Sequence, residues 1–198
     1  MLLPLASQID FLLKLSATFS SLIQKSLVDE RTGLFNHRYF EKRMPAEIAR
    51  AARHGHQLSL LFSEIDEFGN YRKINGSLAA GRLVNEVAAF FRSHHPGSST
   101  GFCFRASDIS IRFGEDQFLV ILPETPKEGA AVKARRLVKA VAATPFLGRE
   151  AQPQGKVTLS VGVATFPEDA SDTVFILEAA DRALDRAREE GMNRVAEA

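Results

Sequence analysis

The chain reads as an α+β domain, a β-sheet covered by helices, and three observations carry that reading. From Asp29 onward, segments of helical and strand-like pattern alternate in the order helix, strand, helix, hairpin, helix, strand, helix. Two strand-like runs flank one tight turn, Gly114-Glu115-Asp116-Gln117-Phe118, and so form a hairpin. Two further apolar runs, residues 58–62 and 157–164, have the length and apolar content of buried strands. A sheet covered by these helices is the packing that buries its apolar surface.

Residues 5–28 precede this alternation and have helical periodicity. Leu5, Leu12 and Phe19 recur seven apart, Leu15 and Leu22 interleave, and Ile9 and Ile23 widen the seam, in which Gln8 also sits. Such a stripe suits either a self-associating coiled coil, giving a homodimer through this helix, or a helix lying on its own domain. The boundaries expected are a helix over 1–28 and a domain over 29–198.

Thr32-Gly33-Leu34-Phe35-Asn36 has the residues of a turn, with Asn36 able to cap the helix behind it. That helix repeats Phe40, Met44, Ile48 and Ala52 at four-residue steps, and Pro45 within it should kink it or restart it. The strand at 58–62 runs into the acidic cluster Glu64-Ile65-Asp66-Glu67. A helix is expected over 78–93, through Leu83, Val84, Val87, Phe90 and Phe91. The hairpin strands fall at 102–105 or 109–113 and at 118–122, followed by a helix over 127–143 and a strand over 157–164. The last helix, near 171–190, should turn Val174, Leu177, Leu184 and Ala187 inward and end at Gly191.

Composition narrows the function classes. With 198 residues, 45% of them hydrophobic, and fifteen phenylalanines, the chain can bury one good core and is not a disordered sequence. A formal net charge of +1 gives no general pull toward nucleic-acid polymers or anionic membranes. The single cysteine, Cys103, lies between Phe102 and Phe104 and reads as a buried thiol in a reducing compartment, hence a cytoplasmic location. The most apolar stretch, residues 2–23, is interrupted by Gln8, Asp10 and Lys14, so no membrane span is expected, and no basic n-region precedes it, so no signal peptide is expected. His54 with His56, and His94 with His95, lack acidic or thiol partners at ligand spacing, and no metal site is expected.

Five segments, in order, resemble the GGDEF domain of diguanylate cyclases. Asp29-x-x-Thr32-Gly33-Leu34-x-Asn36 is similar to the family's DxLTGLxNR, with Arg31 in place of Leu. Residues 58–68 look like its first strand and DIDxF end, and Arg112-Phe113-Gly114-Glu115-Asp116-Gln117-Phe118 stands at its RYGGDEF turn. Ser160-Val161-Gly162-Val163-Ala164 resembles SxGVA. Ala180-Asp181-x-Ala183-Leu184 and Gly191-x-Asn193-Arg194-Val195 resemble the closing ADxALYxAKxxGRNRV. The resemblance implies a palm-like fold akin to adenylyl cyclases, with a central, largely antiparallel sheet flanked by helices and preceded by a signalling helix.

Position by position, the catalytic half implied by the resemblance is altered. Joining two GTP molecules needs carboxylates on a metal, a turn that approaches phosphate, and cations on the triphosphate. The metal-binding Asp is Glu64, one methylene longer, followed by Asp66. The second glycine of the turn is Glu115, which adds bulk and negative charge where a polyphosphate would lie. Asp116 keeps an acid, whereas Gln117 has lost one. The triphosphate Lys is Arg188, the Arg before Asn193 is Met192, and Arg82 stands where a guanine-contacting Asp is expected. Asn75 is the possible remaining guanine contact.

The regulatory half is retained. Arg105-Ala-Ser-Asp108 sits five residues before the turn, where the family's product-inhibition site has RxxD, and Arg136 matches a second arginine on the neighbouring helix. Arginine can fork onto the O6/N7 edge of guanine, and a carboxylate can accept from N1–H and the 2-amino group. The expectation is a catalytically inactive receptor that binds cyclic di-GMP at Arg105, Asp108 and Arg136 and relays it to a downstream protein. It needs no cofactor, Mg²⁺ entering only with residual GTP binding. The alternatives are a weakly active cyclase resting on Glu64, Asp66 and Asp116, or an interaction module that binds no nucleotide.

Overall fold

The computed structural model describes residues 27–92 and 102–198. The expected N-terminal helix lies outside the described residues. Six strands and four helices follow in the order β1 (Phe35–Asn36), α1 (His37–His54), β2 (Leu58–Ile65), α2 (Phe68–Arg92), β3 (Ile109–Arg112), β4 (Gln117–Pro123), α3 (Lys127–Ala143), β5 (Leu159–Phe166), α4 (Thr173–Glu189) and β6 (Val195–Glu197). They make one sheet of order β1-β3-β4-β2-β5-β6. The β3–β4, β4–β2 and β2–β5 pairs are antiparallel, and the two edge pairs, β1–β3 and β5–β6, are parallel. The antiparallel-rich α+β expectation therefore holds.

Strand alternation sorts the core into two layers. Leu61 and Ile65 of β2, Phe118, Val120 and Leu122 of β4, and Leu159, Val161 and Val163 of β5 meet α2 and α3. Leu58, Leu60 and Phe62, Leu119 and Ile121, and Ala164 and Phe166 meet α1 and α4. Where α4 crosses β5 the backbones nearly touch. A Cβ on Gly162 would stand 2.0 Å from the Ala180 carbonyl oxygen and 2.4 Å from the Leu184 nitrogen.

Several elements differ from their expected limits. Helix α2 starts ten residues before the expected 78 and runs through a break at Gly76 (φ 82°, ψ 163°), so the periodic half was recognised and the Gly- and Asn-bearing half was not. Asn36 caps α1 by accepting from the Tyr39 N–H, and the helix continues through Pro45 without a restart. Pro45 is exposed, as is Glu41, whose carbonyl loses its helical donor, so solvent can meet that carbonyl. The buried stripe of α1 is Phe40, Met44, Glu47 and Ala51 rather than the expected run to Ala52. In α4 the buried set is Ile176, Ala179, Ala180, Ala183, Leu184 and Ala187, and the expected inward Val174 is 61% exposed. Cys103 is half-buried rather than buried. No helix among the described residues is long and apolar enough to cross a membrane.

Gly162→Ala tests the close approach of α4. It is expected to lower stability by about 3 kcal/mol, at the upper end of overpacking costs, read as a shifted urea midpoint. An unchanged midpoint would contradict the contact.

Candidate functional site

The ends of β2 and β4 and the turns beside them collect the acidic positions. The register sets Glu64 opposite both Gln117 of β4 and Ser160 of β5. Glu64 is committed on both oxygens: Oε2 accepts from the Gln117 amide at 2.7 Å, and Oε1 pairs with the Arg188 guanidinium at 3.2 Å. Arg188 also lies 3.7 Å from Asp185. Asp66 is buried and serves as a latch. Its Oδ1 accepts from Ser160 Oγ at 2.6 Å, and its Oδ2 from Thr158 Oγ1 at 2.6 Å and the Asn193 N–H at 3.0 Å. It joins β2, β5 and the turn after α4, leaving no oxygen free.

The hairpin turn is held from outside. Phe113 N–H and Gly114 N–H both donate to the Gln117 carbonyl, at 3.0 and 3.3 Å. Arg112 donates to the Gly114 carbonyl at 3.1 Å and the Glu115 carbonyl at 2.5 Å, and burial lowers its pKa. The Glu115 carboxylate pairs with Arg72 of α2 at 2.5 Å. Asp116 is pushed up to about 6, first by burial and then by the nearby Glu64 charge. Glu64 and Asp116 are thus near enough to feel each other, as two ligands of one cation would.

A Mg²⁺ ion takes one or two carboxylates; of the two acids here, Glu64 is tied to a cation and an amide. Among the described residues no group of three or more His, Cys, Asp or Glu side chains is placed to hold a metal. Met192 has left-handed backbone (φ 61°) and lines a cavity of about 280 Å³ with Asp66, Gln152, Thr158 and Asn193. Asn75, the possible guanine contact, donates its amide to the Tyr71 carbonyl at 3.2 Å and the Gly148 carbonyl at 3.3 Å. It ties α2 to the loop after α3.

Arg105 and Asp108 lie at the other end of β3. The turn closes by the Asp108 N–H donating to the Arg105 carbonyl at 3.0 Å and the Arg105 N–H donating to Asp108 Oδ2 at 2.8 Å. Lys133 of α3 reaches the same Oδ2 at 2.5 Å and lies 5.6 Å from the centre of the Phe104 ring. The Asp108 side chain is fully buried, not open to a ligand as the sequence suggested, because Lys133 neutralises it inside. Its Oδ1 has no hydrogen-bond partner among the described residues.

Arg105 is exposed and, with Asp108, lines a cleft of about 770 Å³ between this turn and α1. Arg43 and Arg50 of α1 stand on the same cleft, and sequence reasoning missed both. Their seven-residue separation on one helix was the available signal. Arg43 pairs with buried Glu47 at 2.5 Å and Arg50 with Glu124 at 3.4 Å. Arg136 is exposed on α3, one turn beyond Lys133, and is not part of the cleft wall. The structure brings Arg105 and Asp108 together, and leaves Arg136 on the flank of α3 that Lys133 directs toward them.

Asp116 should make stability depend on pH. Its folded pKa of about 6 exceeds the ordinary 3.8, so the folded state takes up a proton that the unfolded state releases. That contribution is full below the unfolded value and is lost as pH rises through about 6. Asp116→Asn should therefore gain thermal stability over the wild type as pH rises from about 4 to about 7. A difference that is flat or shrinks over that range would contradict the assignment.

A family model described as "Diguanylate cyclase, GGDEF domain" matches residues 26–194. Diguanylate cyclase DgcP of Pseudomonas aeruginosa is 34% identical over 173 residues, which is 87% of this chain but only 24% of that protein. The coiled coil and GGDEF domain of DgcB from Caulobacter crescentus, solved in complex with c-di-GMP, superposes with a TM-score of 0.74 at 22% identity, over 98% of this chain and 97% of that one. The GGDEF domain of PA1120 from Pseudomonas aeruginosa gives a TM-score of 0.74 at 26% identity, over 86% and 94%.

Proposed function

We propose that this chain, which belongs to the GGDEF family, is a catalytically silent receptor that binds cyclic di-GMP through Arg105 and relays its presence. The observation that carries the proposal is a contrast between the two ends of one hairpin. At the strand-end site, the groups that would meet GTP and its metal are paired with one another: Glu64 with Arg188 and Gln117, Glu115 with Arg72. At the other end, Arg105 is exposed on a cleft beside a buried carboxylate oxygen with no partner.

An orphaned buried acceptor costs roughly 1–3 kcal/mol, which a guanine N–H could recover once the turn admits it. Arg105 would supply the forked contact, Arg43 and Arg50 the positive field for the phosphates, and Arg136 an approach from α3. Such binding needs no cofactor. The cleft wall includes Phe35 and Tyr39. Val28 bridges Phe35, and the Asn36 N–H donates to the Leu27 carbonyl at 3.0 Å. A ligand in the cleft would press on that junction, which gives the relay to a dimer mate or downstream protein a route.

The second reading, a weakly active cyclase, rests on the mutual influence of Glu64 and Asp116. For it to operate, Arg188 must release Glu64 to a metal.

Calorimetric titration with cyclic di-GMP tests the proposal. Wild type should bind, and Arg105→Ala should lose about 1–3 kcal/mol per guanine contact with its circular dichroism unchanged. Identical titrations of the two proteins would show that the ligand uses another surface. Asp108→Ala should weaken binding and also loosen the turn that Lys133 anchors, whereas Arg136→Ala should weaken binding less.

A further inference from the structure

The margin of the sheet opposite β1 carries a feature that none of the preceding chemistry uses. Among the described residues, β6 is the last strand of the sheet and pairs only with β5. The Val161 N–H donates to the Arg194 carbonyl at 2.9 Å, and the Ala198 N–H donates to the Val163 carbonyl at 2.8 Å. Since a parallel ladder uses alternate residues, Val195 turns its N–H and C=O, and Glu197 its N–H, toward the outer edge.

Beside that edge lies a groove of about 570 Å³. Its floor is aliphatic, formed by Val138, Ala142 and Ala143 of α3 with Val195. Four cations line it: Arg135, Lys139, Lys156 and Arg194. Arg135 pairs with Glu197 at 3.2 Å and Arg194 with Glu190 at 3.3 Å, both exposed pairs of the kind that contributes little. The ammonium groups of Lys139 and Lys156 meet no carboxylate among the described residues.

We infer that this groove is a docking site for an acidic, extended segment of a partner protein, which adds to β6 as a further strand. The open edge supplies main-chain hydrogen bonds, the aliphatic floor takes alternate apolar side chains, and the cations take the carboxylates between them. The groove offers no aromatic ring, and Asn193 is its one neutral polar side chain, so little in it would read a nucleotide base. This site is separate from the Arg105 cleft and shares no lining residue with it.

The test is fluorescence anisotropy of the whole chain with a labelled, acetylated peptide of about eight residues that alternates Glu and Val. Saturable binding is expected, weakened about tenfold in Lys139→Glu/Lys156→Glu with an unchanged circular dichroism spectrum. A Lys–Val peptide of the same length should not bind, and N-methylation of alternate amides should abolish binding of the Glu–Val peptide. The inference is overturned if the Glu–Val peptide fails to saturate, or if it binds the double variant as well as wild type. It is also overturned if the methylated peptide binds equally, since charge alone would then explain the result, or if inorganic pyrophosphate displaces the peptide at equal concentration, which would mark a small-anion site.

Discussion

Both oxygens of Glu64 are occupied, one by the Gln117 amide and one by the Arg188 guanidinium, and the shape of the strand-end site follows from that commitment. Arg188 is drawn from α4 across the end of β2, where its charge would oppose an incoming divalent cation. Asp116, half-buried beside Glu64, has its pKa pushed up to about 6, first by burial and then by the Glu64 charge. Glu115, displaced to the rim, is met by Arg72 from α2. Two residues of the turn thus meet internal partners, Glu115 with Arg72 and Gln117 with Glu64.

The hairpin has two unlike ends. β3 is only four residues long, so the strand joining the Arg105–Asp108 turn to the Gly114 turn spans roughly 13 Å at ordinary rise. They differ in what surrounds them. The Gly114 turn is clamped by Arg112, Arg72 and the strand ends, whereas Arg105 faces a cleft walled by a separate helix. The two ends of one hairpin therefore stand in different surroundings.

Much of this was legible in the sequence, and the misses have physical causes. The order of elements, the Asn36 cap and the hairpin could be read because each depends on neighbours in the chain. The stripe on α1 was read one residue out because a repeat of four drifts by about 40° per step, so Ala52 rotates out of the face that Phe40 begins. Glu47 takes a buried place only because Arg43, a turn earlier, neutralises it. The first half of α2 was missed because Gly69, Asn70 and Gly76 depress its helical signal, while the loop after α3 holds it through Asn70, Tyr71 and Asn75. The burial of Asp108 depends on Lys133, twenty-five residues away, and no local spacing announces it. Arg43 and Arg50 join the cleft for the same reason: a helix and a turn distant in sequence meet only in the fold.

Whether the strand-end site can do chemistry is open to direct measurement. Incubating the chain with GTP and Mg²⁺ or Mn²⁺, and measuring cyclic di-GMP by liquid chromatography, should show no product above a protein-free control. Steady product accumulation that disappears in Asp116→Asn would contradict the account and restore the enzyme reading.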